Sequence, residues 1–212
     1  MFAALLLAAG AYLVGSISFA VVVSRAFGLP DPHEYGSGNI GATNVLRTGN
    51  KAAALLTLLG DGLKGFVAVF AVAKLAPLLG APAWAVPAAA IAVVGGHCWP
   101  VFHGFRGGKG VATGAGIVFA LHWPLGLVLT VVWLTMAFGF KISSLAALTA
   151  GQIFASVSGL ASGALAGNGA AFAVVIVSIV FYNIIVVALA ILGILLIRRL
   201  FQKAPDTVSA AE

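Results

Sequence analysis

Long apolar runs alternate with short polar ones along this chain, and the runs are long enough to be read as membrane spans, since a helix needs about 20 residues to cross the hydrocarbon. Met1–Val23 is the first run, ending before Ser24 and Arg25; Ala52–Ala76 is the second and Ala83–Trp99 the third. Val111–Leu121 is short and is followed by Leu125–Phe140, so the pair reads as two helices joined by a tight turn at His122-Trp123-Pro124, the first tilted or only partly spanning. Ser143–Leu165, interrupted by Gly and Ser, is the sixth, and Ala170–Ile197 is the seventh and most continuous. The pattern predicts an all-α, polytopic integral membrane protein with about seven transmembrane helices.

Composition agrees with this and excludes a water-soluble globule: of 212 residues, 62% are hydrophobic and only 8% charged, against about 25% charged in ordinary soluble domains. The basic excess, 11 Lys and Arg against 5 Asp and Glu, suits an inner membrane face or a phosphate-bearing ligand before it suits nucleic acid. Basic residues accumulate in cytoplasmic loops. Placing the N-terminus outside and the C-terminus in the cytoplasm puts Arg25, Arg47, Lys51, Arg106, Lys109, Lys141, Arg198, Arg199 and Lys203 on the cytoplasmic side. Only Lys74 then falls outside, with Lys64 inside a span. The first span has no basic segment before it and carries its charge at the far end, unlike a signal peptide. Cys98 is the single cysteine and reads as a small apolar filler.

Function is therefore sought in the two longest polar segments, Ser24–Lys51 and Pro100–Gly110, both expected on the cytoplasmic face. The first contains Gly36-Ser37-Gly38-Asn39-Ile40-Gly41-Ala42-Thr43-Asn44-Val45-Leu46-Arg47. Glycines among short hydroxyl and amide side chains can turn several donors toward one point, as an anion nest requires, and Arg47 adds a fixed cation with fork geometry. An ordinary Gly/Asn turn is the plainer alternative. The second runs from Gly95-Gly96-His97 to Arg106-Gly107-Gly108-Lys109-Gly110 and Thr113; a Lys within glycines just before a helix suggests amides and a helix start converging on an anion, or simply an exposed basic loop. The residue after Lys109 is Gly110 and the position five before Gly108 is His103, so it is not a Walker-type P-loop. Asp61-Gly62-Leu63-Lys64-Gly65 lies within the second span. Ionisable residues at that depth line a site or a polar cavity, although these two are three apart and can simply pair with each other. His97 is placed to orient the second loop or contact a ligand, whereas His33, His103 and His122 read as residues of interfacial turns. No His has a second His or a carboxylate at metal-ligand spacing, and no cofactor is implied.

Ser37 to Arg47 and Gly96 to Thr113 closely resemble two signature motifs of the bacterial acyl-phosphate:glycerol-3-phosphate acyltransferase (PlsY) family. Gly28-Leu29-Pro30-Asp31-Pro32 and Asp61-Gly62-Leu63-Lys64-Gly65 are similar to that family too, and the likeness covers about residues 10–148. It implies a single transmembrane acyltransferase domain over residues 1–203 with a short cytoplasmic tail, 204–212. This would be a seven-helix enzyme of the bacterial inner membrane whose active site faces the cytoplasm. The implied reaction moves a fatty acyl group from acyl phosphate to glycerol 3-phosphate, giving lysophosphatidic acid and phosphate for phospholipid synthesis, with membrane lipid as surroundings and no nucleic acid. Ser37 and Arg47 correspond to first-motif positions tied to activity and glycerol-phosphate binding, and Gly107, Gly108, Lys109 and Gly110 to a phosphate-cradling second motif. The candidate site is thus Ser37, Arg47 and Lys109 as catalytic residues, with Gly38, Asn39, Gly41, Thr43, Asn44, Asp61, Lys64, His97, Gly107, Gly108, Gly110 and Thr113 around the substrates.

The C-terminus departs from the family, which carries a third motif of the form His-x-x-Asn-Ile-x-Arg-Leu; here no His follows His122, and only Arg199-Leu200 remains of it. A catalytically silent homologue is one alternative. A small transporter of phosphorylated or anionic solutes is another, suggested by the Gly-broken spans and opposed by the gathering of polar motifs on one face.

Overall fold

The structure, a computed structural model, describes residues 1–139, all of which belong to a compact unit running Met1–Ala146. The expected spans Ser143–Leu165 and Ala170–Ile197, the tail 204–212 and the altered C-terminal motif lie outside the described residues. Every regular element among the described residues is helical: α1 (Phe2–Gly15), α2 (Phe19–Ala26), the single turn α3 (Ala42–Val45), α4 (Lys51–Leu78), α5 (Ala85–Cys98), α6 (Val111–Leu121) and α7 (Trp123–Gly139), with 3-10 turns at Leu46–Thr48 and Val101–His103. Among the described residues, three stretches are long and apolar enough to cross a membrane: Phe2–Ala26, Lys51–Leu78 and Ala85–His103.

The first span is not the continuous Met1–Val23 helix expected. It breaks at Ser16-Ile17-Ser18, and the reason is local hydroxyl chemistry. The Ser16 hydroxyl donates back to Tyr12 O at 3.0 Å, and Ser18 Oγ accepts from Val21 N at 3.3 Å as the N-cap of α2. Serine side chains compete with the helix ladder in this way and favour a restart. The break leaves the Ile17 carbonyl to be satisfied elsewhere, and it accepts from Lys64 Nζ at 2.6 Å. Within a membrane such a carbonyl needs a protein partner.

Close packing comes from glycines rather than large side chains. A Cβ at Gly15 would run into the backbone of Val93, and one at Gly96 into Tyr12 O, so α1 and α5 cross with their main chains in contact. Gly65 and Gly116 do the same for α4 and α6, against Thr113 and Gly62. This is the small-residue packing by which membrane helices gain van der Waals contact without a hydrophobic driving force. The core between α1, α4 and α5 is correspondingly fine-grained, built on Ala4, Ala11, Val69, Val72, Ala85, Ala89 and Val93. Helix α6 matches the expected Val111–Leu121 at both ends and rises only about 16 Å, too short to cross. Helix α7 begins two residues before the expected Leu125, because Pro124 sits in its first turn, where a missing N–H costs nothing.

α2 and α5 end, and α4 and α6 begin, around the two long polar segments. Residues 27–50 link α2 to α4, and residues 99–110 link α5 to α6. Trp99, Phe102 and Phe105 project from the second link at about 60% exposure, as aromatic residues do at a membrane–water boundary.

Candidate functional site

The first polar loop is organised by Asn44, which is buried. Its Oδ1 accepts from Ser37 N at 3.0 Å and from the Ser37 hydroxyl at 3.3 Å. Its Nδ2 donates to Pro32 O at 2.9 Å and to Tyr35 O at 3.2 Å. An Asn amide offers two donor hydrogens and one acceptor oxygen, so the Asn44 side chain is taken up by the loop itself. Expected to face a ligand, it instead holds the loop closed. Its effect is to fix Ser37: the hydroxyl proton is directed at Asn44, and the oxygen lone pairs are left outward on an exposed side chain. Arg47 lies across the same turn, its Cδ and Nη1 2.9 and 3.2 Å from where a Cβ on Gly36 would stand. Ser37, Thr43 and Arg47 are exposed, whereas Gly38, Asn39 and Gly41 are half-buried in the turn between them.

The second loop folds back over the end of α5. Gly108 N donates to His97 O at 3.0 Å. A Cβ at Gly107 would collide with the carbonyl oxygens of His97 and Cys98, and one at Gly108 with His97 Nε2. These two glycines are required by close approach to a helix end. The Gly108 amide is therefore occupied, where the sequence suggested a donor free for an anion. Gly110, left-handed at φ 75°, starts α6, and Lys109 between them is exposed. Thr113 is fully buried in the seam between α6 and α4, away from the surface that carries Lys109.

Behind this loop lies the Asp61 cluster. Lys64 Nζ is 2.8 Å from Asp61 Oδ1, both side chains are 3% exposed, and His97 Nδ1 stands 3.6 Å from the same carboxylate oxygen. The alternatives of a plain ion pair and a functional group converge here. The pair is enclosed, but it joins three strategic places: the break in the first span through Ile17 O, the end of α5 through His97, and the glycine loop through the His97 ring against Gly108. Asp61, Lys64 and His97 are thus support for the loop rather than part of its exposed surface.

The two loops meet. His33 Nε2 bonds to Arg106 O at 3.2 Å, and the His33 and His103 rings are 5.9 Å apart. His33 in turn pairs with Asp31, Nδ1 to Oδ1 at 2.7 Å, and its backbone N donates to the same oxygen at 2.9 Å. Neither residue stood among the sequence candidates. The available signal was the Asp31-Pro32-His33 spacing, which suits an Asx turn that bonds its own backbone two residues on. The backbone N–H of His33 is the main reason that the Asp31 carboxyl is held below its ordinary range; partial burial opposes this, and the imidazole and Arg25 reinforce it. A depressed carboxylate stabilises the fold above its unfolded pKa and loses that contribution as the pH falls through the folded value. Acidification below about pH 4 is therefore expected to loosen the 27–50 loop. The effect is small because the side chain is partly exposed. Limited proteolysis at this loop checks it, and Asp31→Asn is expected to flatten the acid limb.

The fold and the paired loops describe a helical membrane protein whose polar chemistry is gathered where several apolar helices end together. The chain belongs to the glycerol-3-phosphate acyltransferase family, whose model matches residues 5–203. It is 58% identical over 153 residues to the glycerol-3-phosphate acyltransferase of Cupriavidus pinatubonensis, covering 72% of this chain and 75% of that one. It is 60% identical over 139 residues to that of Neisseria meningitidis serogroup C, 66% and 70% of the two chains. The crystal structure of PlsY, an integral membrane glycerol 3-phosphate acyltransferase, in its glycerol 3-phosphate form superposes with a TM-score of 0.66 at 37% identity over 85% of this chain and 88% of that one. The lysophosphatidic acid form gives 0.65 at 36% identity over 85% and 87%.

Proposed function

We propose that the chain transfers a fatty acyl group from acyl phosphate directly to the 1-hydroxyl of glycerol 3-phosphate, at the cytoplasmic face of a bacterial inner membrane. The hydroxyl oxygen attacks the acyl carbonyl carbon, the carbonyl–phosphate C–O bond breaks, and the hydroxyl proton ends on phosphate. Lysophosphatidic acid and inorganic phosphate leave. Acyl phosphate is already an activated mixed anhydride, so the protein's task is to align two phosphate-bearing molecules and to stabilise leaving charge. The observation that carries this reading is the meeting of two basic loops through His33 and Arg106 O, one exposing Ser37 and Arg47 and the other Lys109. Arg47 with the Ser37 turn would hold one phosphate and Lys109 the other, with Gly38, Asn39, Gly41 and Thr43 shaping the first pocket and Gly107 and Gly110 the second. The acyl tail would lie between helices.

The reading extends to a single domain over residues 1–203 with about seven spans, the N-terminus outside and the C-terminus in the cytoplasm; its support is the position of nine of the 11 basic residues. Direct transfer predicts that protein incubated with acyl phosphate alone keeps its intact mass. A Ser37 acyl ester found by peptide mass spectrometry overturns it. The glycine loop gives a further expectation. Gly107→Ala meets backbone oxygens and is expected to abolish turnover, whereas the nearest atoms to a Cβ at Gly108 belong to the His97 ring. Adding His97→Ala removes that ring and should thus raise the folded yield and thermal midpoint of Gly108→Ala but not those of Gly107→Ala.

A further inference from the structure

Asp31 and His33 touch neither Ser37, Arg47 nor Lys109 by any bond described above, yet they occupy the one place where the two loops are hydrogen-bonded to each other among the described residues. The His33 ring lies between two acceptors. Asp31 Oδ1 is 2.7 Å from Nδ1 and Arg106 O is 3.2 Å from Nε2. A carboxylate and a backbone carbonyl can only accept. Both contacts are hydrogen bonds at once only when both ring nitrogens donate. The ring is 15% exposed and is held in one orientation, because Asp31 Oδ1 also accepts from its backbone N at 2.9 Å. Asp31 on its own loop and His103 from the 101–103 turn lie beside the ring, and Arg25 at the end of α2, Tyr35 and Lys64 act on those two groups. Asp31 is the one anion in this set.

From His33 the bonding continues in both directions. Upstream, Asn44 Nδ2 grips Pro32 O at 2.9 Å, and Asn44 Oδ1 receives the Ser37 amide at 3.0 Å. Downstream, Arg106 is followed directly by Gly107-Gly108-Lys109. A run of short bonds thus connects Ser37 to the residue preceding the glycine loop, and His33 is its only side chain that crosses between the loops.

We propose that His33, donating from both ring nitrogens and held by Asp31, is a positioning residue that sets the spacing between the Ser37–Arg47 loop and the Gly107–Gly110 loop, and with it the alignment of the two phosphate-bearing substrates. This rests on the acyl-transfer function proposed above. Each loop would still bind its own phosphate without the strut, so the loss falls on alignment. A misplacement of about 1 Å costs about 100-fold in rate. In the full-length protein in detergent or proteoliposomes, His33→Ala is expected to lower kcat by about 10- to 100-fold while the KM for each substrate stays within about threefold. His33→Gln places an amide nitrogen near the position of Nε2, keeps the bond to Arg106 O and should recover most of kcat. His33→Asn reaches only the Nδ1 position and should behave as His33→Ala. Unchanged kcat in His33→Ala, or equal losses in the Gln and Ala variants, overturns the strut. Ring-nitrogen NMR of 15N-histidine-labelled protein, with His33 assigned by comparison with His33→Gln, tests it without turnover. Two protonated nitrogens are expected, and one protonated nitrogen overturns it. Failure of wild-type protein to transfer any acyl group while His33 shows both protons would strike the proposed function and leave the loop-to-loop strut standing.

Discussion

Lys109→Ala and Arg47→Ala are each expected to lower kcat/KM for acyl transfer by about two to three orders of magnitude, the usual loss when a preorganised charge at a reacting phosphate is removed. Both side chains are exposed on the loops that meet at His33, and neither is buried support for the fold. Yield and thermal midpoint should therefore stay close to wild type, which separates this loss from misfolding. Arg47→Lys is expected to recover little. Arg47 Cδ and Nη1 stand 2.9 and 3.2 Å from where a Cβ on Gly36 would be, and a lysine ammonium supplies a point charge without the planar fork. Lys109→Arg, which keeps a positive charge at that point of the loop, is the milder change. Wild-type activity in either alanine variant would remove that residue from the reaction.

Asp61→Ala should show the opposite pattern, an effect on stability first. The carboxylate faces Lys64 at 2.8 Å, and both side chains are 3% exposed inside the helix bundle. Removing one partner of a buried pair leaves the other charge uncompensated, at a cost of about 3–5 kcal/mol. Folded yield and thermal midpoint in detergent are expected to fall sharply. The double variant Asp61→Leu/Lys64→Met removes both charges and refills the volume, so it should regain much of the midpoint. Activity should not return with it. His97, whose ring lies against Gly108, would have lost the carboxylate 3.6 Å from Nδ1, and Ile17 O its Lys64 donor. A double variant as active as wild type would show that the cluster serves stability alone.

Much of the architecture is legible in the hydrophobic pattern, because membrane helices are long apolar runs with polar ends. α4, α5 and α6 fall within a few residues of the expected Ala52–Ala76, Ala83–Trp99 and Val111–Leu121. The break at Ser16-Ile17-Ser18 is not legible. Its flanks are as apolar as the rest of the span, and the group that satisfies Ile17 O lies 47 residues away. The loops are legible as chemistry but not as geometry. Glycine, serine and asparagine beside Arg47 and Lys109 point to phosphate, and the relatives bear out the family. The pattern could not tell which polar groups face outward. Asn44 and the Gly108 amide read as ligand donors, yet their partners are other parts of the loops and the end of α5, fixed only once the helices pack. Asp61 and Lys64 read correctly as a pair three apart; that they also brace His97 depends on α4 and α5 lying side by side. His33 reads from the sequence as a residue of an interfacial turn, since its contact with Arg106 O spans 73 residues of chain.

The most direct test of the account is stoichiometric turnover. Purified full-length protein in proteoliposomes is given acyl phosphate and glycerol 3-phosphate, and lysophosphatidic acid and inorganic phosphate are followed together. The account predicts that the two products appear in equal amounts, that acyl-CoA does not replace acyl phosphate, and that Arg47→Ala and Lys109→Ala suppress both products. Phosphate release without lysophosphatidic acid, or glycerol 3-phosphate crossing the membrane with no acyl transfer, would contradict it.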